Sequence, residues 1–399
     1  MPHAMRDLIE RTVRELASFE RPSSSDGERL AADWIAGELR SAGCRDVRVE
    51  EERAHGGYWW PLGLLNAAAL LATALGRRAA ALVGAVAAAA VYDDVSGGKL
   101  WFRRRTLPHR STWNVLAELG DPDAPRTVVF VAHHDAAHSG LVFHPALPRV
   151  AMERMPKLHE RADQSIPIIF GVFLGPLLLA LWGLTGRRVL RALGTIFAGG
   201  AVATMADIGR SEVVPGANDN LSAVAVVVAL AHSLAASPPP GVRVMLVSTG
   251  SEESFMEGMQ GFGRRHFGSL PRATTEFVCI ECVGSPQLCV VEAEGMLRMR
   301  PYTERSRDAL ARAGEAAGVD LRRGLRTVAA TDALIALRAG YPTCTLGGVD
   351  ETKFPSNYHW PSDTPENLSW ESVEGAARVC EAYVRQMDGR PIARPPAAS

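Results

Sequence analysis

Apolar and polar positions follow two distinct patterns along the 399-residue chain. Over most of its length, short apolar runs that predict strands alternate with segments in which apolar residues recur every three or four positions, as on one face of a helix. This alternation predicts an α/β protein whose sheet is covered by helices on both faces. The predicted strands are Asp46–Glu51, Trp113–Leu119, Arg126–Ala132, Val242–Ser248, Glu276–Val283 and Tyr341–Leu346. The predicted helices are Leu221–Ala236, Asp308–Ala317, Thr331–Ala339 and Ser369–Met387, and an amphipathic segment covers Met5–Phe19.

Two blocks interrupt this alternation with long stretches that lack charged side chains. Residues 54–76 and 164–186 each comprise 23 positions without Asp, Glu, Lys or Arg, and a Gly-Arg-Arg sequence stands at the end of each. A second apolar segment follows in each block, at 79–92 and 192–206. We therefore predict two inserted hydrophobic helical hairpins, 54–92 and 164–206, each with a long arm and a shorter one. About 20 apolar residues span a bilayer, so the long arms qualify and the short arms are marginal.

The hairpins predict a lipid bilayer as a partner and a membrane-associated, multi-pass or hairpin-anchored protein. Aromatic residues near the ends of the arms resemble interfacial anchors, namely Tyr58, Trp59, Trp60 and Trp182. Lys and Arg residues are more numerous beside the α/β part than in the two turns, which places that part in the cytoplasm by the positive-inside rule. The alternative interpretations are core helices of a soluble protein and the interface of a soluble dimer.

Composition limits the kinds of binding partner and the cellular compartment that we expect for this protein. The 43 basic and 44 acidic side chains nearly cancel, which argues against nucleic acid as a partner. Cys279 and Cys282 form one Cys-x-x-Cys pair without the second pair of a zinc ribbon, so we interpret the six cysteines as reduced core residues. No signal peptide is recognised, which agrees with a reducing, cytoplasmic compartment. The Pro- and Ala-rich residues 389–399 are predicted to form a disordered tail.

A metal-ligand pattern follows the predicted strand Arg126–Ala132. His133 and Asp135 lie two positions apart, so their side chains share one face of the extended chain. The imidazole can bind a metal ion, and the carboxylate can hold the ring in its orientation. This pair alone is not specific, and its weight depends on the clusters that follow it.

Four further clusters carry side chains of the kind that bind metal ions. Asp219 precedes a helix, where capping is the alternative role. Glu252 and Glu253 come just after a buried strand, where carboxylates are costly unless a metal ion or a proton compensates them. Glu281 lies in an apolar strand, with a buried salt bridge as the alternative, and His359 lies in a loop, where surface histidines are common. Together these imidazoles and carboxylates suit two zinc ions about 3.5–4 Å apart.

Six segments resemble the M28 family of zinc peptidases, the aminopeptidase group that includes glutaminyl cyclases. They are Asn114–Leu119, Ala132–Asp135, Gly216–Asn220, Thr249–Ser254, Ala330–Asp332 and Tyr358–Asp363, and they occur in the family's order. The resemblance covers most of the chain outside the hairpins. It implies a three-layer αβα fold of the zinc exopeptidase type with a mixed, mostly parallel central sheet. We expect a single catalytic domain over residues 1–388 that the hairpins at 54–92 and 164–206 interrupt.

The resemblance also implies a role for each candidate residue. One zinc ion would be bound by His133 and Glu281, and the second by Glu253 and His359, with Asp219 bridging the two. The remaining roles are the general base for Glu252, orientation of His133 for Asp135, and support near the site for Asp332 and Asp363.

The sequence departs from the family's pattern at two points. Glu281 stands where many relatives have Asp, which leaves the spacing of the metals open. Asp135 and Asp219 are 84 positions apart (219 minus 135), farther than a compact member needs, and the second hairpin fills the gap.

The function implied is that of a zinc-dependent metallo-exopeptidase, an aminopeptidase that hydrolyses peptide or amide bonds at a membrane. Water activated by two zinc ions per chain would be the nucleophile. The alternatives are acyl transfer of the glutaminyl cyclase kind, which generally uses one zinc ion, and a catalytically silent membrane scaffold. The sequence leaves the preferred side chain of the substrate and the oligomeric state open.

Overall fold

A mixed sheet forms the centre of the molecule in the computed structural model, which describes residues 2–164 and 169–388. Its strands are β1 (Arg45–Ala54), β2 (Arg110–Gly120), β3 (Thr127–His133), β4 (Arg243–Thr249), β5 (Thr275–Glu281), β6 (Gln287–Glu294), β7 (Arg300–Pro301), β8 (Arg322–Thr327) and β9 (Thr343–Val349). They are arranged in the order β1-β2-β4-β3-β5-β9-β6-β7, and β8 pairs with β6. The central strands β4, β3, β5 and β9 are parallel, whereas β1, β2 and β7 pair antiparallel toward the edges.

Helices cover the sheet on both faces. They are α1 (Pro2–Ala17), α2 (Asp26–Ser41), α3 (Trp59–Ala72), α4 (Arg77–Val95), α5 (Arg103–Thr106), α6 (Ala146–Arg154), α7 (Pro156–Arg161), α8 (Phe170–Thr185), α9 (Arg188–Ile208), α10 (Ser222–Ala236), α11 (Glu257–His266), α12 (Glu304–Ala317), α13 (Ala333–Arg338) and α14 (Trp370–Met387).

Alternation along the strands divides the core into two layers. Val128 and Phe130 of β3 pack with α1, α2, α10, α12 and α14, whereas Val129 and Val131 pack on the other face with α11 and α13. Successive side chains of a strand point to opposite faces, so one apolar run serves both layers. The predicted three-layer α/β fold is confirmed, with parallel pairing concentrated in the middle of its mixed sheet.

The predicted hairpins correspond to four apolar helices, but their arms differ in length from the prediction. We expected the first arm of each hairpin to be the longer; instead α3 and α8 have 14 and 16 residues, whereas α4 and α9 have 19 and 21. Ala54 still pairs with Arg110 in the sheet, and Gly56 and Gly57 adopt positive φ angles, so α3 starts late. Arg77 and Arg188 start the second helices instead of forming turns.

The four helices pack into one unit, which we call the apolar helix unit (α3, α4, α8 and α9). Small residues bring the backbones close together: a Cβ atom on Gly84 would lie 2.8 Å from the backbone nitrogen of Ala180, and one on Gly175 would lie 2.6 Å from that of Ala198. Close contact through Gly and Ala is typical of helices that associate in lipid.

The outer surface of the apolar helix unit carries large exposed apolar side chains. Leu184 and Ile196 are 70% and 67% exposed, and others include Leu71, Leu82 and Val189. Two helical segments in the described ranges are long and apolar enough to cross a membrane, Arg188–Ile208 and Ala217–Ala236, with 22% and 78% of their apolar windows buried. The second contains α10, which lies in the core of the α/β fold. Only α9 therefore combines spanning length with an exposed apolar surface among the residues that the structure describes.

The proposed aromatic anchors occupy different surroundings from those expected. Tyr58 and Trp182 are buried inside the protein, and Trp59 packs edge-on against His138 with ring centroids 4.5 Å apart. Only Trp60 among the four is largely exposed, at 62%. The interpretation of Tyr58 and Trp182 as interfacial anchors is therefore wrong, because tertiary packing covers their rings. Residues 165–168 near the start of the second hairpin and the predicted tail 389–399 lie outside the described residues.

Candidate metal centre

The sheet order brings the candidate residues to one edge. β3 lies between β4 and β5 in parallel pairing, so the carboxyl ends of the three strands are adjacent. His133 is the last residue of β3, Glu281 is the last residue of β5, and Glu252 follows β4 by three positions. Clefts at the carboxyl ends of parallel strands are where α/β proteins place their ligands. The strand-end positions predicted from sequence thus meet at one site.

Asp219 lies between the two histidines. Its Oδ1 atom is 3.2 Å from Nε2 of His133, and its Oδ2 atom is 3.2 Å from Nε2 of His359. Nε2 of His133 also lies 3.4 Å from Oε1 of Glu281, and Nε2 of His359 lies 3.1 Å from Oε2 of Glu253. The five predicted ligands therefore form two groups, each with one imidazole and one glutamate, that share the Asp219 carboxylate.

Glu252 lies at the edge of this cluster. Its Oε2 atom is 3.9 Å from Nε2 of His133, beyond hydrogen-bonding distance. The carboxylate lines two cavities that open on either side of the cluster. Glu253 lines the same two cavities, so Glu252 differs from it in lying outside hydrogen-bonding distance of the imidazoles.

Asp135 connects His133 to the loop of the glutamates. Its carboxylate accepts hydrogen bonds from the backbone N–H groups of Glu252 and Glu253 at 3.0 and 3.1 Å, and from the hydroxyl of Ser23 at 2.6 Å. Oδ1 of Asp135 also lies 3.4 Å from Nδ1 of His133. Because one buried carboxylate contacts both strand ends, it sets their relative position.

Asp363 supports the loop that carries Asp219. Its two carboxylate oxygens accept hydrogen bonds from the backbone N–H groups of Asn218 and Asp219, at 2.7 and 3.1 Å. The side-chain amides of Asn218 and Asn220 fix the same loop, and Asn220 donates to the carbonyl of Ile280 at 2.9 Å. The predicted position of Asp363 beside the site is thus accounted for by the Asp219 loop.

Asp332 lies farther from the imidazoles. Its carboxylate accepts a hydrogen bond from the hydroxyl of Thr249 at the end of β4. Burial is the main cause that raises the pKa of Asp332 to about 7, and Glu281 adds to the increase. Asp332 therefore contacts the strand that leads to the glutamates, and among the described residues it forms no ion pair with either histidine.

The electrostatics of the cluster favour a bound cation. Burial, together with Asp219 and Glu253, raises the pKa of Glu281 to about 7, and burial also raises the pKa of Glu252 well above its ordinary value. Burial opposes the charged form of His359, yet Glu253 and Asp219 raise its pKa to about 10. Such shifts arise where like charges are crowded in a medium that solvates them poorly.

Several buried acceptor atoms of the cluster lack a protein donor. Within the described ranges, Oε1 of Glu253, Oε2 of Glu281 and Nδ1 of His359 have no hydrogen-bond partner. His133, Asp219 and Glu253 also place one ligand atom each within 4.8 Å of one another. Nitrogen and oxygen donors with this spacing suit zinc, so the residues present fit the metal that the resemblance implies.

Aromatic residues that the sequence analysis gave no role at the site surround the cluster. The ring of Tyr358 stacks on that of His359 at a centroid distance of 3.8 Å, and the ring of Phe143 lies 4.6 Å from it. Tyr58 lines the same cavity as Glu253. Tyr358 could have been found from its position next to His359, whereas Tyr58, in the first insertion, and Phe143, in the loop after β3, carry no local signal.

The cysteines lie outside the ligand set that we expected, with one close neighbour. All six are free, and Cys44 alone among them is not fully buried, which agrees with their interpretation as reduced residues. Cys282 follows Glu281, and its thiol lies 3.6 Å from the Glu281 carboxylate. Burial raises the pKa of the Cys282 thiol well above its ordinary value, which disfavours the thiolate that binds metal ions.

Comparison with known proteins supports the class of protein that the fold and the site indicate. The model of peptidase family M28 matches residues 201–384. The resemblance to M28 zinc peptidases is confirmed over this part of the chain, which includes Asp219 and all later candidate ligands. No curated protein matches the chain at a significant level.

Solved structures show the same fold at low sequence identity. A Zn-dependent exopeptidase from Parabacteroides distasonis has a TM-score of 0.54 and 14% identity, over 96% of this chain and 98% of that one. A zinc aminopeptidase from Bacillus subtilis gives 0.55 and 13%, over 96% and 95%. A glutaminyl cyclase from Tannerella forsythia gives 0.54 and 13%, over 96% and 98%. The zinc exopeptidase fold is thus confirmed, and the family match supports a hydrolase of the metallopeptidase kind.

Proposed function

We propose that this protein is a zinc-dependent aminopeptidase that hydrolyses peptide or amide bonds at a membrane. One observation carries the proposal: the Asp219 carboxylate lies 3.2 Å from an imidazole on each side. An arrangement with one shared carboxylate and two separate imidazole–glutamate pairs provides ligands for two metal ions. The unpaired acceptor atoms of Glu253 and Glu281 support it, because buried carboxylates need a cation or a proton.

The ligand roles follow from the two groups. His133 and Glu281 would hold one zinc ion, Glu253 and His359 would hold the other, and Asp219 would contact both. When bound, zinc supplies a Lewis acid that polarises a carbonyl group and lowers the pKa of water. Asp135 would orient the His133 ring, because its Oδ1 atom lies 3.4 Å from Nδ1 of that ring.

Glu252 is assigned the role of general base. It lines the cavities beside the cluster and makes no hydrogen bond to the imidazoles, so its carboxylate can reach a water molecule and a leaving group there. In this role it accepts a proton from the attacking water and donates that proton to the leaving amine. Burial raises the pKa of Glu252, which makes its carboxylate a stronger base toward the attacking water.

Substitution of Glu252 by Gln tests this assignment. We expect Glu252→Gln to keep its zinc content, measured by inductively coupled plasma mass spectrometry, and to lose at least 100-fold in kcat toward peptides with a free amino terminus. Glu304→Gln is the matched control, because Glu304 is exposed at the start of α12. Near-normal turnover by Glu252→Gln with bound zinc would overturn the role of the base.

Acyl transfer of the glutaminyl cyclase kind is the second candidate function. The structural similarity to the Tannerella forsythia glutaminyl cyclase, with a TM-score of 0.54, supports this candidate. Incubation of the zinc-loaded protein with a peptide that begins with Gln distinguishes the two. Hydrolysis of the first peptide bond supports the aminopeptidase, whereas loss of ammonia with an intact peptide bond supports the cyclase. A catalytically silent scaffold would give neither product.

Membrane attachment is assigned to the apolar helix unit. The exposed Leu184 and Ile196 lie on α8 and α9, and α9 measures about 32 Å at 1.5 Å per residue, close to the thickness of a bilayer core. We propose a membrane-associated protein. Because all six cysteines are free, as expected in a reducing compartment, we assign its catalytic part to the cytoplasm. Extraction of membranes with alkaline carbonate tests the attachment. Release into the soluble fraction without detergent would support a soluble dimer instead.

A further inference from the structure

A cavity connects the candidate metal centre with the apolar helix unit. It has a volume of about 180 Å³, and Glu252, Glu253 and His359 line one end. A dry cavity of about 150 Å³ accepts benzene in another protein, so this space is large enough for an apolar group. Ligand sites combine an apolar wall with a few polar groups in this way.

The helices of the second insertion build the far wall of the cavity. Val172 of α8 and Phe197, Ala201, Met205 and Ile208 of α9 line it. Thr204 is the polar side chain that α9 adds to the lining. The wall therefore has the chemistry of a hydrocarbon-binding site, and it is supplied by a segment that the compact α/β fold does not need.

The cavity reaches the outer apolar surface at Phe197. This side chain lines the cavity and is 36% exposed, and its neighbour Ile196 on α9 is 67% exposed. A chain that lies along the outside of α9 can therefore reach the cavity beside Phe197. The carboxylates of Glu252 and Glu253 are at the opposite end, where the bond to be cleaved would lie.

Phe143 closes the cavity above the metal ligands. Its ring lies 4.6 Å from that of His359 and 5.8 Å from that of Tyr358, and Val142 lines the same wall. The loop that carries Phe143 also contacts α9, because the backbone N–H of Leu141 donates to the Asp207 carboxylate at 2.7 Å. The cover of the site is thus tied to the helix that forms its apolar wall.

We propose that the substrate is an amide or peptide with a long linear hydrocarbon chain, which enters from the lipid beside Phe197 and lies along α9 with its amide group at Glu252. This inference rests on the proposed hydrolase function. An ordinary pocket for one apolar amino-acid side chain is the competing interpretation, and it predicts no benefit from chain length beyond that of a leucine or phenylalanine side chain.

A chain-length series tests the proposal on the full-length, zinc-loaded protein in phospholipid nanodiscs. Butyl-, octyl- and dodecylamides of alanine place the chain on the amine side, and butyl-, octyl- and dodecylglycine amides place it on the acyl side. We expect kcat/KM, calculated from the free aqueous substrate concentration, to rise with chain length in one series, by up to about fourfold for each methylene that leaves water. Equal kcat/KM for butyl and dodecyl compounds in both series would overturn the proposal.

Variants of α9 show whether the cavity is the cause of the preference for long hydrocarbon chains. Ala201→Phe fills the lining, and Ala203→Phe is the matched control because Ala203 is exposed on the same helix. We expect Ala201→Phe to remove the preference for dodecyl over butyl compounds and Ala203→Phe to retain it. Thr204→Trp provides a second block if Ala201→Phe does not fold. Retained preference in the folded blocked variant would contradict the assignment.

A cross-linking experiment gives a readout that does not require turnover. Alanine dodecylamide with a diazirine at the end of the chain is irradiated with the Glu252→Gln protein, and labelled peptides are identified by mass spectrometry. We expect label on the peptide that contains Phe197 and Met205. The yield of label should fall at least fivefold when Ala201→Phe is combined with Glu252→Gln in one protein, but not when Ala203→Phe is combined with it. Such labelling, combined with no hydrolysis of either series or of short peptides by the wild-type protein, would refute the hydrolase function alone, whereas hydrolysis of short peptides by the wild-type protein without labelling would refute the lipid-chain substrate.

Discussion

The guanidinium of Arg103 and the carboxylate of Asp94 form a buried ion pair, with Nη2 and Oδ2 3.0 Å apart. Asp94 lies near the end of α4, so the pair joins the apolar helix unit to the α/β fold. Arg103 also donates to the carbonyl oxygen of Ser254 at 2.7 Å, directly after the two glutamates of the site. The carboxylate of Glu257 lies 3.5 Å from the same guanidinium. The position of the loop that carries Glu252 and Glu253 therefore depends on contacts with Arg103 and, through it, with α4.

Removal of the Arg103 guanidinium should destabilise the protein strongly. Arg103→Met leaves the carboxylates of Asp94 and Glu257 buried without their cation, which should lower the free energy of unfolding by about 3–5 kcal/mol. Chemical denaturation of the protein in detergent measures it. Arg105→Met is the control, because Arg105 is exposed and should change stability by less than about 0.5 kcal/mol. Equal stability of the two variants would refute the structural role of the ion pair.

Asp363 should influence zinc affinity without touching the metal. Asp363→Asn replaces one acceptor oxygen by an amide that cannot accept the N–H of Asn218 or Asp219, so the Asp219 loop should lose its support. We expect zinc affinity to fall about 10- to 100-fold, measured by competition with a chromogenic chelator. Asp308→Asn on α12 serves as the control. Unchanged affinity in Asp363→Asn would show that the loop holds its position without this carboxylate.

Removal of zinc should lower the free energy of unfolding, because the crowded carboxylates of the site would lose the cation that compensates their charge. A ligand that binds only the folded state, at a free concentration about a thousandfold above Kd, stabilises it by about 4 kcal/mol. Chelation should therefore shift the unfolding transition of the wild-type protein to lower denaturant concentration, and His133→Ala should respond much less. A wild-type transition that does not move on chelation would argue against a metal ion at this site.

Glu294 should make stability depend on pH. Burial raises its pKa to about 8, and Glu281 adds to the shift, while Thr331 donates to the carboxylate at 2.8 Å from its backbone N–H. The other ionisable neighbours are Tyr302 and Cys279. Because the folded-state pKa lies above the unfolded value of about 4.3, the unfolded chain loses its proton first and stability falls as pH rises.

The fall should amount to at most about 1.4 kcal/mol per pH unit between pH of about 4.3 and 8, and it should level off above that window. Glu294→Gln removes this contribution, so its stability relative to wild type should increase with pH across the window. Denaturation of both proteins at a series of pH values measures the difference. A difference that stays constant would contradict the raised pKa of Glu294.

The strand ends of the site could be predicted from sequence, because apolar runs locate strands and parallel pairing places their carboxyl ends together. His133, Glu252 and Glu281 were accordingly expected next to one another. Strands β6, β7 and β8 were not predicted, since their mixed apolar and polar patterns do not separate a strand from a loop. The relation of Phe143, Tyr58 and Phe197 to the site was also missed, because it depends on how the inserted helices pack against the sheet.

Helix lengths in the insertions show a second limit of pattern reasoning. The absence of charges predicts that the arms end at the arginine pairs, yet Arg77 and Arg188 begin α4 and α9 because arginine is a good helix former. At the other end, strand pairing of Ala54 and the positive φ of Gly56 delayed the start of α3. Composition thus located the insertions, whereas local backbone conformation decided the lengths of their helices.

The most direct test of the account is the number and position of zinc ions at the Asp219 carboxylate. Anomalous scattering from crystals of the zinc-loaded Glu252→Gln protein, recorded above and below the zinc absorption edge, measures both. The account predicts two peaks about 3.5–4 Å apart, one beside His133 and Glu281 and one beside His359 and Glu253, with Asp219 between them. A single peak, or none within bonding distance of Asp219, would contradict it.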